Sequence, residues 1–143
     1  MAGTVLALHP RTPYRLLAAQ FPQSQTLSFP IAVNVNIAEW IHAMLLVRVH
    51  GAPTWAASSS FRYDFFPSAP SPDDPATLFR DTTASPTLQI TQAQVGSLTS
   101  YTGISSVNTS LGGYGDLVLT FVQAGIGATD FFINLSCDLI LKS

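Results

Sequence analysis

The sequence predicts an all-β protein, a β-sandwich or barrel of roughly seven to eight antiparallel strands with a jelly-roll-like plan. Three observations carry this. From Phe131 to Leu141 every odd position is apolar (Phe131, Ile133, Leu135, Cys137, Leu139, Leu141), while Asn134, Ser136, Asp138 and Lys142 alternate with them. Successive strand side chains point to opposite faces, so this stretch has one dry and one mostly wet side. Near the other end Leu27, Phe29, Ile31, Val33, Val35 and Ile37 repeat the pattern against Ser28, Pro30, Ala32, Asn34 and Asn36. Long strands at opposite ends call for long-range pairing. Ten prolines and nine glycines, spread along the chain, suit many short strands joined by turns.

Residues 1–25 read as an N-terminal arm, and 26–143 as a single β-sandwich domain. In the arm Val5, Leu6, Leu8, Tyr14, Leu16, Leu17 and Phe21 sit among Pro10, Pro13 and Pro22, which leave room only for a helical turn over Tyr14–Gln20. Leu27–Ile37 is the first strand, and Pro30 requires it to be an edge or to bulge there. In the next strand, Glu39–His50, Ile41, Ala43, Leu45, Val47 and Val49 face one way. Trp40, His42, Met44, Leu46, Arg48 and His50 face the other. Both faces are apolar at the centre, so the strand is expected to be covered on both sides.

Phe61–Phe66 is a short strand, and Pro67–Pro75 reads as a loop because four prolines remove donors. Ala76–Asp81 is a short strand or turn, and Leu88 and Ile90 stand at strand spacing. Ala93–Gly115 is rich in Gly, Ser and Thr, with short strands around Leu98–Ile104. Leu117–Gln123 is a strand, and Ala124–Thr129 is expected to turn it back as a hairpin onto Phe131–Leu141.

A chain of 143 residues is one domain, large enough for a core without disulfides. Charged residues make up 10% of it, against about 25% in an ordinary soluble domain. Charge keeps a free monomer apart from its neighbours, and interface cores are depleted in Lys, Glu and Asp. The deficit therefore points to a surface packed against other protein. A net charge of −2 supplies no basic stripe, which excludes phosphate-backbone binding to nucleic acid. Cys137 falls on the apolar side of its strand and reads as a small buried hydrophobe.

The start of the chain has no basic region ahead of its short apolar run, so no secretory signal is read there. The run Ile41–Val47 is far too short to cross a membrane as a helix.

No motif marks an active site. His42 and His50 share strand parity but lie about 26 Å apart along a straight strand, and Glu39 faces the other way, so no metal set forms. Asp73 and Asp74 lack calcium-loop spacing and suit an Asx turn. There is no Gly-x-Ser-x-Gly, and Gly112, Gly113 and Gly115 lack the Lys-Ser or Lys-Thr of a phosphate loop, so they read as turn residues. No cofactor is expected. Trp55, Tyr101 and Tyr114 are candidate ligand or interface aromatics, with Trp55 in the loop-like APTWAASSS the best placed for exposure.

The stretches RYDFFPSAPSPDDPATLFRD and DFFINLSCDLILKS, within an uncharged, cysteine-poor all-β chain, resemble in style the small virion proteins of tailed bacteriophages. The resemblance is spread over residues 26–143 and matches no signature motif. It implies a non-enzymatic head decoration or cement protein, made in the host cytoplasm and seated on the capsid surface. The implied partners are the major capsid protein or other virion proteins and further copies of the chain, often as a trimer. The arm residues named above would then clamp a neighbour. The alternative is a carbohydrate- or receptor-binding sandwich using Trp55 and Tyr101. An outer-membrane barrel suits the alternation, but the absent signal and the closing Lys142-Ser143 speak against it.

Overall fold

Alternation is clear in the two interior strands of one sheet, β3 (His42–His50) and β9 (Phe131–Lys142). In the computed structural model, which describes residues 3–21, 26–70, 78–80, 88–107, 113–123 and 130–142, seven further strands accompany them. These are β1 (Gly3–Leu16), β2 (Thr26–Asn36), β4 (Ser60–Pro70), β5 (Leu78–Arg80), β6 (Leu88–Thr91), β7 (Ser100–Ser106) and β8 (Tyr114–Val122).

One sheet runs β1-β9-β3-β7. The other runs β2-β8-β4, with β5 and β6 both paired to the far side of β4. β6 takes Ser60–Tyr63 and β5 takes Ser68–Pro70, so the two share one sheet position. Among the described residues nine strands thus fill eight positions, four to a sheet, and every pairing is antiparallel.

The pairing is nested: β1 with β9, β2 with β8, β3 with β7, and β4 with β5 and β6. A chain folded back on itself and then rolled into two sheets gives this order. It is a jelly roll, an architecture that viral capsid, lectin and cupin domains share. β1 and β7 end one sheet and β2 ends the other, so the expected β-sandwich is observed in its open form rather than as a closed barrel.

The core lies between the sheets. Ala43, Leu45, Val47 and Val49 of β3 and the odd residues 131–141 of β9 face Phe61, Tyr63 and Phe65 of β4 and Leu117, Leu119 and Phe121 of β8. All are buried. Cys137 is a free, buried thiol whose pKa burial pushes up, as its place on the dry side implies.

Several expectations are corrected. Gly3–Leu16 is a full edge strand paired along β9, and helix is confined to a short 3-10 turn at Ala18–Gln20. β4 continues through Pro67 to Pro70, where a loop was expected, while Asp73 and Asp74 fall outside the described residues. Proline is tolerated at these positions because Pro67 pairs at the level of Gly115, near the end of the ladder. β8 and β9 are not a hairpin, since β8 pairs with β2 and β4 while β9 pairs with β1 and β3. Gly115 lies inside β8, not in a turn.

β2 is an edge with a register shift just after Pro30, as its proline requires. That shift, and a second before Val35, turn Val33 outward, where it is 57% exposed. A short helix, α1 (Gln92–Val95), was not expected. Thr91 and Gln94 cap it reciprocally, with the Gln94 N–H donating to Thr91 Oγ1 at 3.3 Å and the Thr91 N–H to Gln94 Oε1 at 2.8 Å.

Candidate interaction face

The register of β1, β9, β3 and β7 determines which side chains share the outer face of their sheet. One row across it is Val5, Ile140, Met44 and Ser106. The next is Ala7, Asp138, Leu46 and Ile104, and Ser136, Arg48 and Thr102 follow. Two apolar rows therefore cross the sheet, interrupted by one carboxylate. Val5 is 60% exposed and Ile104 53%, so these side chains stand in water in the isolated chain. At the Met44 end the face runs into an open groove of about 330 Å³ between Ile41, His42, Met44, Ser106 and Lys142.

The outer face of the other sheet is different. Several of its polar groups pair with one another: Ser28 Oγ lies 2.9 Å from Thr120 Oγ1, Arg62 Nε donates to Asp64 Oδ2 at 3.1 Å, and Gln89 Nε2 donates to Ser60 Oγ at 3.2 Å. The Asn34 N–H donates to Asp116 Oδ1 at 2.9 Å. One face of the sandwich is finished with internal hydrogen bonds, and the opposite one presents apolar rows. Contiguous exposed apolar surface marks interaction sites more often than isolated residues do. β3 was expected to be covered on both sides. The second sheet covers one side, and on the other Met44 and Leu46 are half-buried.

The arm residues separate along the same division. Tyr14 and Leu16 point inward, and Leu6, Leu8, Tyr14 and Phe21 pack against the core. Leu16 is buried outright. Of the set only Val5 and Leu17 are substantially exposed, and only Val5 is on the apolar rows. Trp55 is buried between Phe61 and Phe131, with ring centroids 6.1 and 5.3 Å away, so the expected exposed stacking platform is absent at this residue. The loop folds inward because Thr54 pairs with Phe132, its N–H donating to the Phe132 carbonyl at 2.8 Å. Tyr101 packs against the core and Tyr114 is half-buried beside Ser68. His42 and His50 stand at opposite ends of β3, and His50 Nε2 meets Ser136 Oγ at 2.9 Å. Among the described residues no three His, Cys, Asp or Glu side chains group as metal ligands.

One polar network inside the sandwich was missed. From Ala7 to His9 β1 advances two residues while β9 advances one, from Asp138 to Cys137. The extra residue turns His9 inward, where strict alternation would have left it outside. His9 Nδ1 lies 2.7 Å from Tyr63 Oη, and Nε2 lies 3.0 Å from Tyr14 Oη. In neutral imidazole one nitrogen donates and the other accepts, so two phenols satisfy both. The network ties β1 to β4 across the core. His9 is buried and Tyr14 half-buried, so the network links the two sheets from within.

Desolvation lowers the His9 pKa from the ordinary 6.5 and raises those of Tyr63 and Tyr14. A histidine with a depressed folded-state pKa stabilises the fold fully above its unfolded value. The contribution is lost as pH falls below about 6.5, because the unfolded chain then binds more protons. The midpoint of thermal unfolding should be level between about pH 8 and 7 and fall as the pH drops below about 6.5. His50, lowered by burial and then by the Arg11 and Arg48 charges, adds to the same slope. His9→Gln should make that slope shallower without abolishing it. An unchanged slope in the variant would remove His9 from this role.

No family model matches the chain, and no curated protein matches it in sequence. Among solved structures it is similar to a chain from Desmodium yellow mottle tymovirus, at 11% identity and a TM-score of 0.31 over 99% of this chain and 89% of that one. It is also similar to chains from infectious bursal disease virus. For the Gt strain the values are 5% and 0.34, and for the Gx strain 5% and 0.32, each over 99% of this chain and 42% of that one. TM-scores of this size lie below those of a shared fold, so the functional reading rests on the chain's own surface.

Proposed function

We propose that this protein is a non-enzymatic structural component of a virion, specifically a decoration or cement protein on the head of a tailed bacteriophage. The observation that carries the reading is the pair of apolar rows on the outer face of the β1-β9-β3-β7 sheet. The low charge content supports it, because a surface that lives against other protein needs little ionic repulsion. The jelly roll is compatible with it but does not select it, since the same fold serves unrelated functions. Val5, Met44, Leu46, Ile104 and Ile140 would lie against the major capsid protein or another shell component. Each contact is modest, and repetition over many symmetric copies makes the total large. Such binding would stabilise the assembled shell by mass action.

The test is co-sedimentation of the purified protein with capsids of the virus that carries its gene. The wild type is expected in the pellet. Val5→Asp combined with Met44→Asp places two carboxylates in the apolar rows and should move the protein to the supernatant. Its own melting temperature should shift little, because both substitutions lie on the outer face. Wild-type protein that stays in the supernatant, or a variant that pellets equally, would refute the reading.

A further inference from the structure

Each sheet edge presents unpaired backbone N–H and C=O groups, and proteins blunt such edges with proline, charge, irregular register or short strands. Three of the four edges here are blunted. β1 carries Pro10, Pro13, Arg11 and Arg15 and shifts register twice. β2 carries Pro30, shifts register twice, and has Asn34 at a positive φ of 58°. The fourth sheet position is divided between β5, three residues long, and β6, four residues long.

β7 has none of these devices. Its sequence, SYTGISS, contains no proline and no charge. It pairs with β3 over Met44↔Ser106 through His50↔Ser100 without a register shift, so it is regular along its whole length. Among the described residues no strand pairs with its other side.

We propose that β7 is a self-pairing edge: two copies join antiparallel through Ser100–Ser106 about a twofold axis at Gly103, making one continuous eight-stranded sheet from two four-stranded ones. Three features of the strand select a second copy as the occupant. Full antiparallel overlap of a seven-residue strand sets Gly103 opposite itself, Thr102 opposite Ile104 and Ser100 opposite Ser106. A strand without charge meets its own copy without like-charge repulsion. An isologous pair also closes, consuming the unblunted edge of both partners and leaving only the blunted edges outside. In this register Ile104 of each copy lies opposite Thr102 of the other, so the second apolar row of one copy meets the row of Ser136, Arg48 and Thr102 in its partner. The inference does not rest on the virion reading.

The test is light scattering and amide hydrogen exchange on the full chain as concentration is raised. The mass should climb from 15.3 kDa towards twice that value. Over the same range, alternate amides of Ser100–Ser106, those directed away from β3, should become protected. Thr102→Lys combined with Ile104→Lys sets introduced ammonium groups against their counterparts across the axis. It should hold the protein at one chain's mass with an unchanged circular dichroism spectrum. Val5→Asp with Met44→Asp changes side chains of β1 and β3 on the outer face and leaves the free edge of β7 unaltered, so it should leave the pairing intact. Loss of capsid binding with the dimer preserved therefore separates the two proposals. A monomer at every concentration, a trimer, or a dimer that survives the lysine pair would overturn the inference.

Discussion

Phe131→Ala is expected to cost about 3–5 kcal/mol, the range for truncating a large buried aromatic. Phe131 has no exposed surface, and three rings surround it: Phe121 at 5.2 Å and Trp55 at 5.3 Å, both edge-to-face, and Phe21 at 6.2 Å. The three belong to β8, the loop after β3, and the segment after β1, so the ring closes one end of the sandwich. The hole left by alanine cannot be filled by a swing of one neighbour, because each is held by its own backbone. Domains of this size are stable by about 5–15 kcal/mol, so the variant stands close to its unfolding threshold. Urea denaturation should show a much lower midpoint with an unchanged slope. A loss below about 1 kcal/mol would mean that the ring is not the keystone of this end.

Gly115→Ala is expected to destabilise by about 1–3 kcal/mol, from overpacking rather than from a cavity. Gly115 lies within β8, paired to Val35 on one side and Pro67 on the other. A Cβ built there would fall inside the ring of Phe65. Phe65 is 2% exposed and cannot move outward, so the added methyl must displace the ring or the strand. The sign of a second substitution checks this. Phe65→Leu should destabilise the wild type, as any core truncation does, yet recover part of the loss in the Gly115→Ala background. Additive losses would show that the two positions do not compete for the same space.

The contrast between these two sites shows what the sequence discloses. Phe131 stands in an unbroken alternation, and the period alone places it in the core. Gly115 sits in a Gly- and Ser-rich run that reads as a turn, and only the Phe65 ring above it explains why a strand needs glycine there. β3 and β9 are legible for the same reason as Phe131, since the ladder between them runs without a register shift and keeps strict period. β1 is not, because its register shifts by one residue on each side of His9 and the prolines imitate a loop. The same local shifts turn His9 inward and Val33 outward against the simple pattern. Trp55 reads as exposed because its flanks are small and polar, but the pairing of Thr54 with Phe132 folds the segment inward.

The interaction face was half visible. The apolar centre of the outer side of β3, Met44 and Leu46, is legible in its alternation. Its neighbours Val5 and Ile140 come from 39 residues before Met44 and 96 after it, and only the register of three strands brings them into one row.

The nesting of the strands also governs the order of synthesis. β9 runs between β1 and β3, yet it is made after both of them. Until residues 131–142 have left the ribosome, β1 and β3 have no strand between them, and β1 must wait for β9. Contacts so distant along the chain close slowly, on the order of milliseconds to seconds. Nascent chains stalled before Phe131 should therefore remain protease-sensitive over Gly3–Leu16, and protection should arrive in one step when β9 is released.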